Sequence, residues 1–194
     1  GGYHGAKLKI YQELIEFEIQ PEIQELINRL QNGVPPHIAF ENMNALNMLN
    51  TQYLIYNPGA EPVENPNNLG PAWFVNEIKY VQTANEEIKA LDSLNTKKIA
   101  ILKDLNSYGF EDSKKYNVDS LATIKLTKYS LNALSYESFS NQNEFAVFSE
   151  IYYKDGWNAY IDGELKNTGE TWGTDPDFST IAIGMRASGT NASD

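Results

Sequence analysis

Hydrophobic residues recur at helical spacing through the first third of the chain. The apolar positions are Leu8, Tyr11, Leu14, Ile15, Ile23, Leu26, Ile27 and Leu30. Intervals of three and four residues place such side chains on one face of an α-helix. Because proline is poorly tolerated in a helix interior, Pro21 predicts two helices and belongs near the first position of the second. Asn32-Gly33 predicts its end, and residues 41–49 predict a third, short helix.

Short runs that alternate between apolar and polar residues follow, which is the pattern of β-strands. The predicted strands are residues 52–56, 73–81, 98–102, 122–129, 133–139, 144–153 and 158–161, with 180–185 as a further strand-like run. The strand at 158–161 is expected to pair with 144–153. Thr83 and Glu86 form a capping-box pattern that predicts a helix over residues 87–94, with Ile88, Leu91 and Leu94 inward. Asp162-Gly163 predicts a tight hairpin turn.

Together these elements predict an α+β fold, in which N-terminal helices pack on an antiparallel β-sandwich-like C-terminal part. Residues 1–50 are the N-terminal helical segment, and residues 51–165 are an α+β sheet domain. We expect these two parts to form one unit. Residues 166–194 are a polar tail whose role the sequence leaves open.

Composition narrows the classes of partner. The chain has 26 acidic and 15 basic residues and a net charge of −11, which disfavours nucleic acid and anionic membranes as partners. It has no cysteine, so disulfides, thiolate zinc sites and cysteine nucleophiles are excluded. No apolar window approaches the ~18 residues of a membrane span, and no signal peptide is visible. The start at Gly1-Gly2, without an initiator methionine, predicts a piece of a longer protein.

Catalytic motifs are scarce. His4 and His37 lack the spacing of a metal site, and we expect ordinary surface or packing histidines. Nucleophile-elbow, phosphate-loop and dinucleotide motifs are missing, so no cofactor is predicted. Glu150 has two interpretations, a burial-shifted acid of a carboxylate pair or a polar residue that faces water. Asp175 and Asp177 resemble a metal-holding pair, although an ordinary turn also explains them.

An aromatic cluster near the end of the predicted sheet is the candidate binding surface. Its members, the candidate glycan-contacting residues, are Trp157, Tyr152, Tyr153 and Tyr160. Trp157 follows a predicted turn at Asp155-Gly156, where an indole ring would form a stacking platform for a sugar. The alternative is that Trp157 folds back and covers the end of the sandwich.

Four groups of residues carry a resemblance to a known family. They are residues 2–8 with 11–15 (GYHGAKL, YQELI), 46–53 (LNMLNTQY), 65–75 with 84–87 (NPNNLGPAWFV, ANEE), and 149–157 with 160–163 (SEIYYKDGW, YIDG). In this order they resemble the C-terminal extracytoplasmic region of the YfhO family, multi-pass bacterial membrane proteins, in the form typical of Bacteroides-type bacteria. The resemblance covers roughly residues 2–164.

The resemblance implies a full-length protein similar to membrane glycosyltransferases that use lipid-linked sugars and act in the cell envelope. The catalytic carboxylate of such proteins belongs to the membrane part, so no catalytic, metal or cofactor residue carries over. This chain would be a non-catalytic accessory domain at the periplasmic face of the inner membrane. Its partners would be the membrane portion of the same polypeptide and a glycan or lipid-linked sugar.

Two departures from the family pattern accompany the resemblance. Lys154-Asp155 stands where the family usually has proline before Gly-Trp. Residues 164–194 show neither the strand with several arginines nor the Gly-Lys-His turn that usually follow the Asp-Gly turn. Two other functions stay open at this point. One is a purely structural or protein-interaction module, and the other is a free-standing glycoside hydrolase with a carboxylate pair.

Overall fold

A computed structural model describes residues 9–102, 114–150, 158–166 and 185–187. Helices come first and antiparallel strand pairs follow, so the predicted α+β class is confirmed. Within the described ranges, no helix is long and apolar enough to cross a membrane.

The N-terminal helix runs through Pro21 without a break. It consists of α1 (Lys9–Leu14), a π-helical turn (Ile15–Ile19) and α2 (Gln20–Gln31). The prediction of two separate helices is therefore wrong. The Gln20 amide donates to the Ile15 carbonyl, five residues earlier. This wider turn lies just before Pro21, where a regular helix would set the proline ring against a carbonyl four residues back.

The helix α2 ends at Asn32-Gly33, as the sequence predicts. Gly33 has a φ of 80°, a conformation that costs glycine little. Its amide donates to the Leu30 carbonyl, and the Val34 amide donates to the Arg29 carbonyl, each at 3.0 Å. This pair of bonds is a Schellman motif, which satisfies carbonyls at the helix end.

The next elements are short. They are α3 (Pro36–Ala39), α4 (Asn44–Met48), β1 (Tyr53–Leu54) and β2 (Val63–Glu64). The predicted helix over residues 41–49 is shorter than expected, since α4 covers only its second half. β1 and β2 pair antiparallel across the proline-rich loop.

The strand predicted over residues 73–81 is two strands that belong to different sheets. β3 (Ala72–Val75) and β4 (Glu77–Tyr80) meet at Asn76. The Asn76 amide donates to the Lys98 carbonyl, and its carbonyl accepts from the Tyr116 amide, both at 2.7 Å. The backbone of Asn76 thus holds the point where the chain passes from one sheet to the other.

A helical crossover follows β4. The capping box is confirmed, because Thr83 Oγ1 accepts from the Glu86 amide and the Glu86 carboxylate accepts from the Thr83 amide. It starts α5 (Ala84–Leu91), which leads to β5 (Ile99–Leu102). β5 lies parallel to β4, since a helix returns the chain to the same end of the sheet. β6 (Lys114–Lys115) pairs antiparallel on the other side of β4.

The remaining strands form hairpins and a central sheet. They are β7 (Thr123–Ser130), β8 (Ala133–Phe139), β9 (Glu144–Phe148), β10 (Ala159–Ile161), β11 (Glu164–Lys166) and β12 (Met185–Ala187). β9 is buried throughout and pairs with β3 and β12. Residues 151–153, the end of the strand expected to pair with residues 158–161, lie outside the described ranges, so that pairing stays a prediction. Within the described residues, β10 pairs with β11. Their turn is confirmed, with φ of 52° at Asp162 and 79° at Gly163.

The core joins the helices to the sheets. One cluster contains Leu14 of α1, Met48 of α4, Leu91 of α5 and Ile101 of β5. It therefore draws side chains from both sides of residue 50. Ile88, Leu91 and Leu94 are buried as predicted.

A second cluster lies between the β9 sheet and the β7–β8 hairpin. Ile124 and Tyr136 of the hairpin pack against the buried residues of β3 and β9. The Tyr136 ring meets Phe148 edge-on, with 4.8 Å between ring centroids. Edge-on aromatic pairs of this kind add to the stabilisation that burial provides.

Candidate functional site

Tyr160 is the described member of the candidate glycan-contacting surface. It lies in the middle of β10, opposite Leu165, and its side chain is 60% exposed. Ala159 and Ile161 on either side are half-buried, so strand alternation turns Tyr160 toward solvent. The tight turn at Asp162-Gly163 connects β10 directly to β11.

Several predicted residues lie outside the described ranges. They are Trp157, Tyr152, Tyr153, the Asp155-Gly156 turn, His4, Asp175 and Asp177. The choice between a stacking platform and a covering role for Trp157 therefore stays a prediction. His37 is exposed on α3.

Glu150 follows β9 and does not lie within it. It is half-buried, and loss of solvent raises its pKa. The negative charge of Glu150 also contributes, after burial, to raising the pKa of Tyr136 to about 12. Within the described part of the chain, the Tyr136 hydroxyl is buried without a hydrogen-bond partner.

Two asparagines connect the second and third groups of residues that carry the family resemblance. Asn65 is fully buried and Asn47 is 8% exposed. The Asn65 side-chain amide donates to Asn47 Oδ1 at 2.9 Å and to the Thr51 carbonyl at 2.8 Å. The Asn65 main-chain amide donates to the Gln52 carbonyl at 2.8 Å. Residues 46–53 and 65–75 are thereby held together by buried polar contacts.

Ser149, the first residue of the fourth group, reaches both of these segments. Its hydroxyl donates to the Met48 carbonyl at 2.8 Å. Its main-chain amide donates to the Pro71 carbonyl at 2.9 Å. We call this arrangement of Asn47, Met48, Asn65, Pro71 and Ser149 the motif junction.

Trp73, in the third group, has a similar structural role. Its indole nitrogen donates to the Thr96 carbonyl at 3.0 Å. The ring packs against both of the clusters described above. A partly buried tryptophan with a satisfied N–H is typical of residues that fix the packing of neighbouring elements.

A carboxyl pair in the long helix has no counterpart among the sequence predictions. Glu18 is only 5% exposed, and burial raises its pKa to about 7, with smaller contributions from Asp92 and Glu22. The Glu22 carboxylate accepts from the Ala45 and Leu46 amides, each at 2.9 Å. Burial nevertheless raises the pKa of Glu22, because it outweighs the lowering by these bonds.

The sequence does contain a signal for this pair. Leu14, Glu18, Glu22 and Leu26 follow each other at four-residue intervals. Such residues stack along one face of a helix. Since Leu14 and Leu26 are core positions, the two glutamates between them are directed toward the interior.

A third carboxyl group organises the turn before β9. Glu144 is fully buried, and its Oε1 accepts from the Asp119 amide at 2.8 Å and from Ser140 Oγ at 3.0 Å. The Asp119 carboxylate accepts from the Leu121 and Asn141 amides, which lower its pKa. The contacts of Glu144 and Asp119 connect the segment before β7 with the turn before β9. The role of this network is therefore to stabilise those two turns.

The described residues contain no group of three acidic or histidine side chains placed to hold a metal ion. Comparison of the chain with protein-family models, with curated proteins and with solved structures finds no match. The features of the described residues that bear on function are the exposed Tyr160, the buried carboxyl groups and the motif junction.

Proposed function

We propose that this chain is an extracytoplasmic accessory domain of a multi-pass membrane protein of the YfhO type. In this proposal the reactive centre belongs to the membrane portion of the same polypeptide. The accessory domain presents an aromatic surface that includes Tyr160 to a glycan or lipid-linked sugar.

The observation that supports the first part is the motif junction. Three of the four groups behind the resemblance meet there, although Met48 and Ser149 are 101 positions apart. Their polar side chains bind main-chain carbonyls and one another. Buried polar groups satisfied in this way specify a fold. The resemblance therefore concerns fold-forming residues, as expected for an accessory domain.

The support for a glycan contact is the exposure and position of Tyr160. An exposed aromatic ring on a short, well-paired hairpin offers a flat apolar face with a hydroxyl at its rim. Sugar rings combine apolar C–H faces with polar edges, and an amphipathic ring of this kind complements both. The three other candidate aromatic residues precede this hairpin in the sequence.

The gene tests the membrane-protein assignment directly. The reading frame upstream of Gly1 should encode a series of apolar spans, each of about 18 residues or more. A complete gene that encodes this segment alone, with no such spans, would remove the assignment.

Matched variants test the glycan contact. Tyr160→Ala and Tyr53→Ala remove side chains of similar exposure, 60% and 58%, from different hairpins. We expect glycans selected on an array to bind the unaltered chain, and we expect Tyr160→Ala alone to weaken binding by roughly 2- to 10-fold, the value of one aromatic contact. Equal effects of the two variants, or an array without any bound glycan, would contradict the contact.

The motif junction also favours a second candidate function, that of a purely structural or protein-interaction module. Such a module would brace the membrane portion without binding sugar. The glycan experiment separates the two candidates, because a bracing module predicts identical behaviour of Tyr160→Ala and Tyr53→Ala.

A further inference from the structure

The β7–β8 hairpin carries an apolar face that is packed at its base and exposed at its tip. At the base, Ile124 and Tyr136 contact the core. A register shift follows Leu126, after which Tyr129 pairs with Leu134. Leu134 is two residues from Tyr136 and so lies on the same face of the sheet, and cross-strand pairing places Tyr129 there too.

Exposure rises steeply along this face. Tyr129 is 73% exposed, and Leu131, in the connecting turn, is fully exposed. The paired strands extend seven residues from Thr123 to Tyr129, which is roughly 20 Å at the usual rise per residue. Two large apolar side chains therefore project from the body of the protein at the end of a hairpin.

The charge of the hairpin is opposite to that of the chain. From Ser120 to Tyr136 the sequence contains Lys125 and Lys128 and no acidic residue, in a chain of net charge −11. Glu137, opposite Lys125, is the nearest acidic residue along β8. At about 0.1 M salt, charges more than ~10 Å apart are largely screened. At the tip, the electrostatic potential that acts on an approaching surface is therefore set more by the two lysines than by the acidic residues elsewhere in the chain.

We propose that the tip of the β7–β8 hairpin, Lys128 to Leu131, contacts an anionic lipid surface. This inference rests on the proposed function, which locates the chain beside a membrane. Leu131 and the Tyr129 ring would enter the interfacial region, where tyrosine is enriched, and lysine would keep its ammonium group at the headgroups. The net charge of the chain disfavours an anionic membrane as a partner, whereas the local positive charge of the hairpin favours one.

The size of the tip favours lipid over a protein partner. A specific protein interface buries about 800 Å² on each side, more than two side chains at a hairpin tip supply. Binding to a bilayer requires no minimum interface of this kind, because each apolar side chain that enters the bilayer adds to the binding free energy.

A fluorescent probe at the tip tests the contact. The chain has no cysteine, so Leu131→Cys and Gln142→Cys each accept one environment-sensitive dye. Gln142 is an exposed control position in the turn that follows β8. An N-terminal histidine tag on a flexible linker of about 30 residues, with a reach of roughly 30 Å, holds the chain on vesicles that contain a nickel-chelating lipid. The tether raises the effective concentration, so that a weak contact is observed.

With phosphatidylglycerol vesicles we expect a blue shift of the dye at position 131 and none at position 142. Lys125→Gln with Lys128→Gln, or high salt, should remove most of the shift. The proposal is overturned by an unshifted dye at 131, by equal shifts at both positions, or by a shift that survives the lysine changes. A blue shift that grows with protein concentration without vesicles would indicate contact between copies of the chain and would also overturn it.

The lipid contact and the family assignment can be rejected independently of each other. A dye at 131 that stays in water removes the lipid contact and leaves the family assignment intact. An upstream reading frame without apolar spans removes the assignment, whatever the dye reports.

Discussion

At the scale of single residues, Glu18 makes stability depend on pH. Its folded-state pKa, about 7, lies above the ordinary 4.5, so the folded protein binds this proton more tightly than the unfolded chain does. Glu18 therefore favours folding most at pH values below its ordinary pKa. That contribution declines as the pH rises through the interval between the two pKa values, and it is lost above about 7.

Glu18→Gln should remove this dependence, because glutamine has a similar shape and no charge. We expect the free energy of unfolding at pH 8 to rise by about 1–3 kcal/mol, and we expect little change at pH 4.5. Urea denaturation at both pH values measures the difference. Glu61→Gln, at an exposed loop position, is the control and should change neither value. An unchanged pH slope in Glu18→Gln would contradict the assignment.

Asn65 is the residue on which the motif junction depends most. Asn65→Ala leaves Asn47 Oδ1 and the Thr51 carbonyl without their donor, and buried unsatisfied groups are costly. We expect a loss of about 2–4 kcal/mol in unfolding free energy. Asn67→Ala removes one exposed bond, to the His37 carbonyl, and should cost about 0.5–1 kcal/mol. Similar losses in the two variants would argue against a special role of Asn65.

At the scale of elements, α5 offers a clean test of a local signal. Thr83→Ala deletes the side chain that accepts from the Glu86 amide, and loss of such a cap costs about 1 kcal/mol. Thr83→Ser keeps the hydroxyl and should retain most of the stability. Thermal melts of both variants measure the contrast, and equal melting temperatures would show that the cap contributes little.

The helices and strands also show which structural features can be predicted from the sequence. The stop at Gly33, the capping box and the Asp162-Gly163 turn were predictable because each depends on residues within one turn of chain. The division at Asn76 was not, since it depends on main-chain bonds to Lys98 and Tyr116. Pro21 misled the prediction because a π-helical turn before it keeps the helix continuous.

At the scale of the whole molecule, the shared core predicts that the helical segment cannot be removed. Leu14 and Met48 pack with Leu91 and Ile101, so deletion of residues 1–50 would expose the inner faces of α5 and β5. We expect the shortened chain to show the narrow amide dispersion of an unfolded protein in ¹H–¹⁵N spectra. A well-dispersed spectrum would mean that residues 51–194 fold alone.

The candidate site was predictable only in part, for physical reasons. Tyr160 was selected by its residue type and its place beside the predicted Asp162-Gly163 turn, and strand alternation in the structure exposes it. The burial of Glu18 was missed because the inward face of the helix was traced through hydrophobic residues alone. The positive charge of the β7–β8 hairpin was missed because the net charge sums over the whole chain. Salt screens charges that lie more than about 10 Å apart, so the distant acidic residues do not cancel the lysines of the hairpin.

The bonds of Ser149 also constrain how this protein can change over generations. Every amino acid has a main-chain carbonyl, so position 71 can exchange its side chain and still accept a bond. A side-chain hydroxyl comes from few amino acids, and position 149 has no such freedom. Relatives that share this architecture should therefore retain serine or threonine at 149 while position 71 drifts.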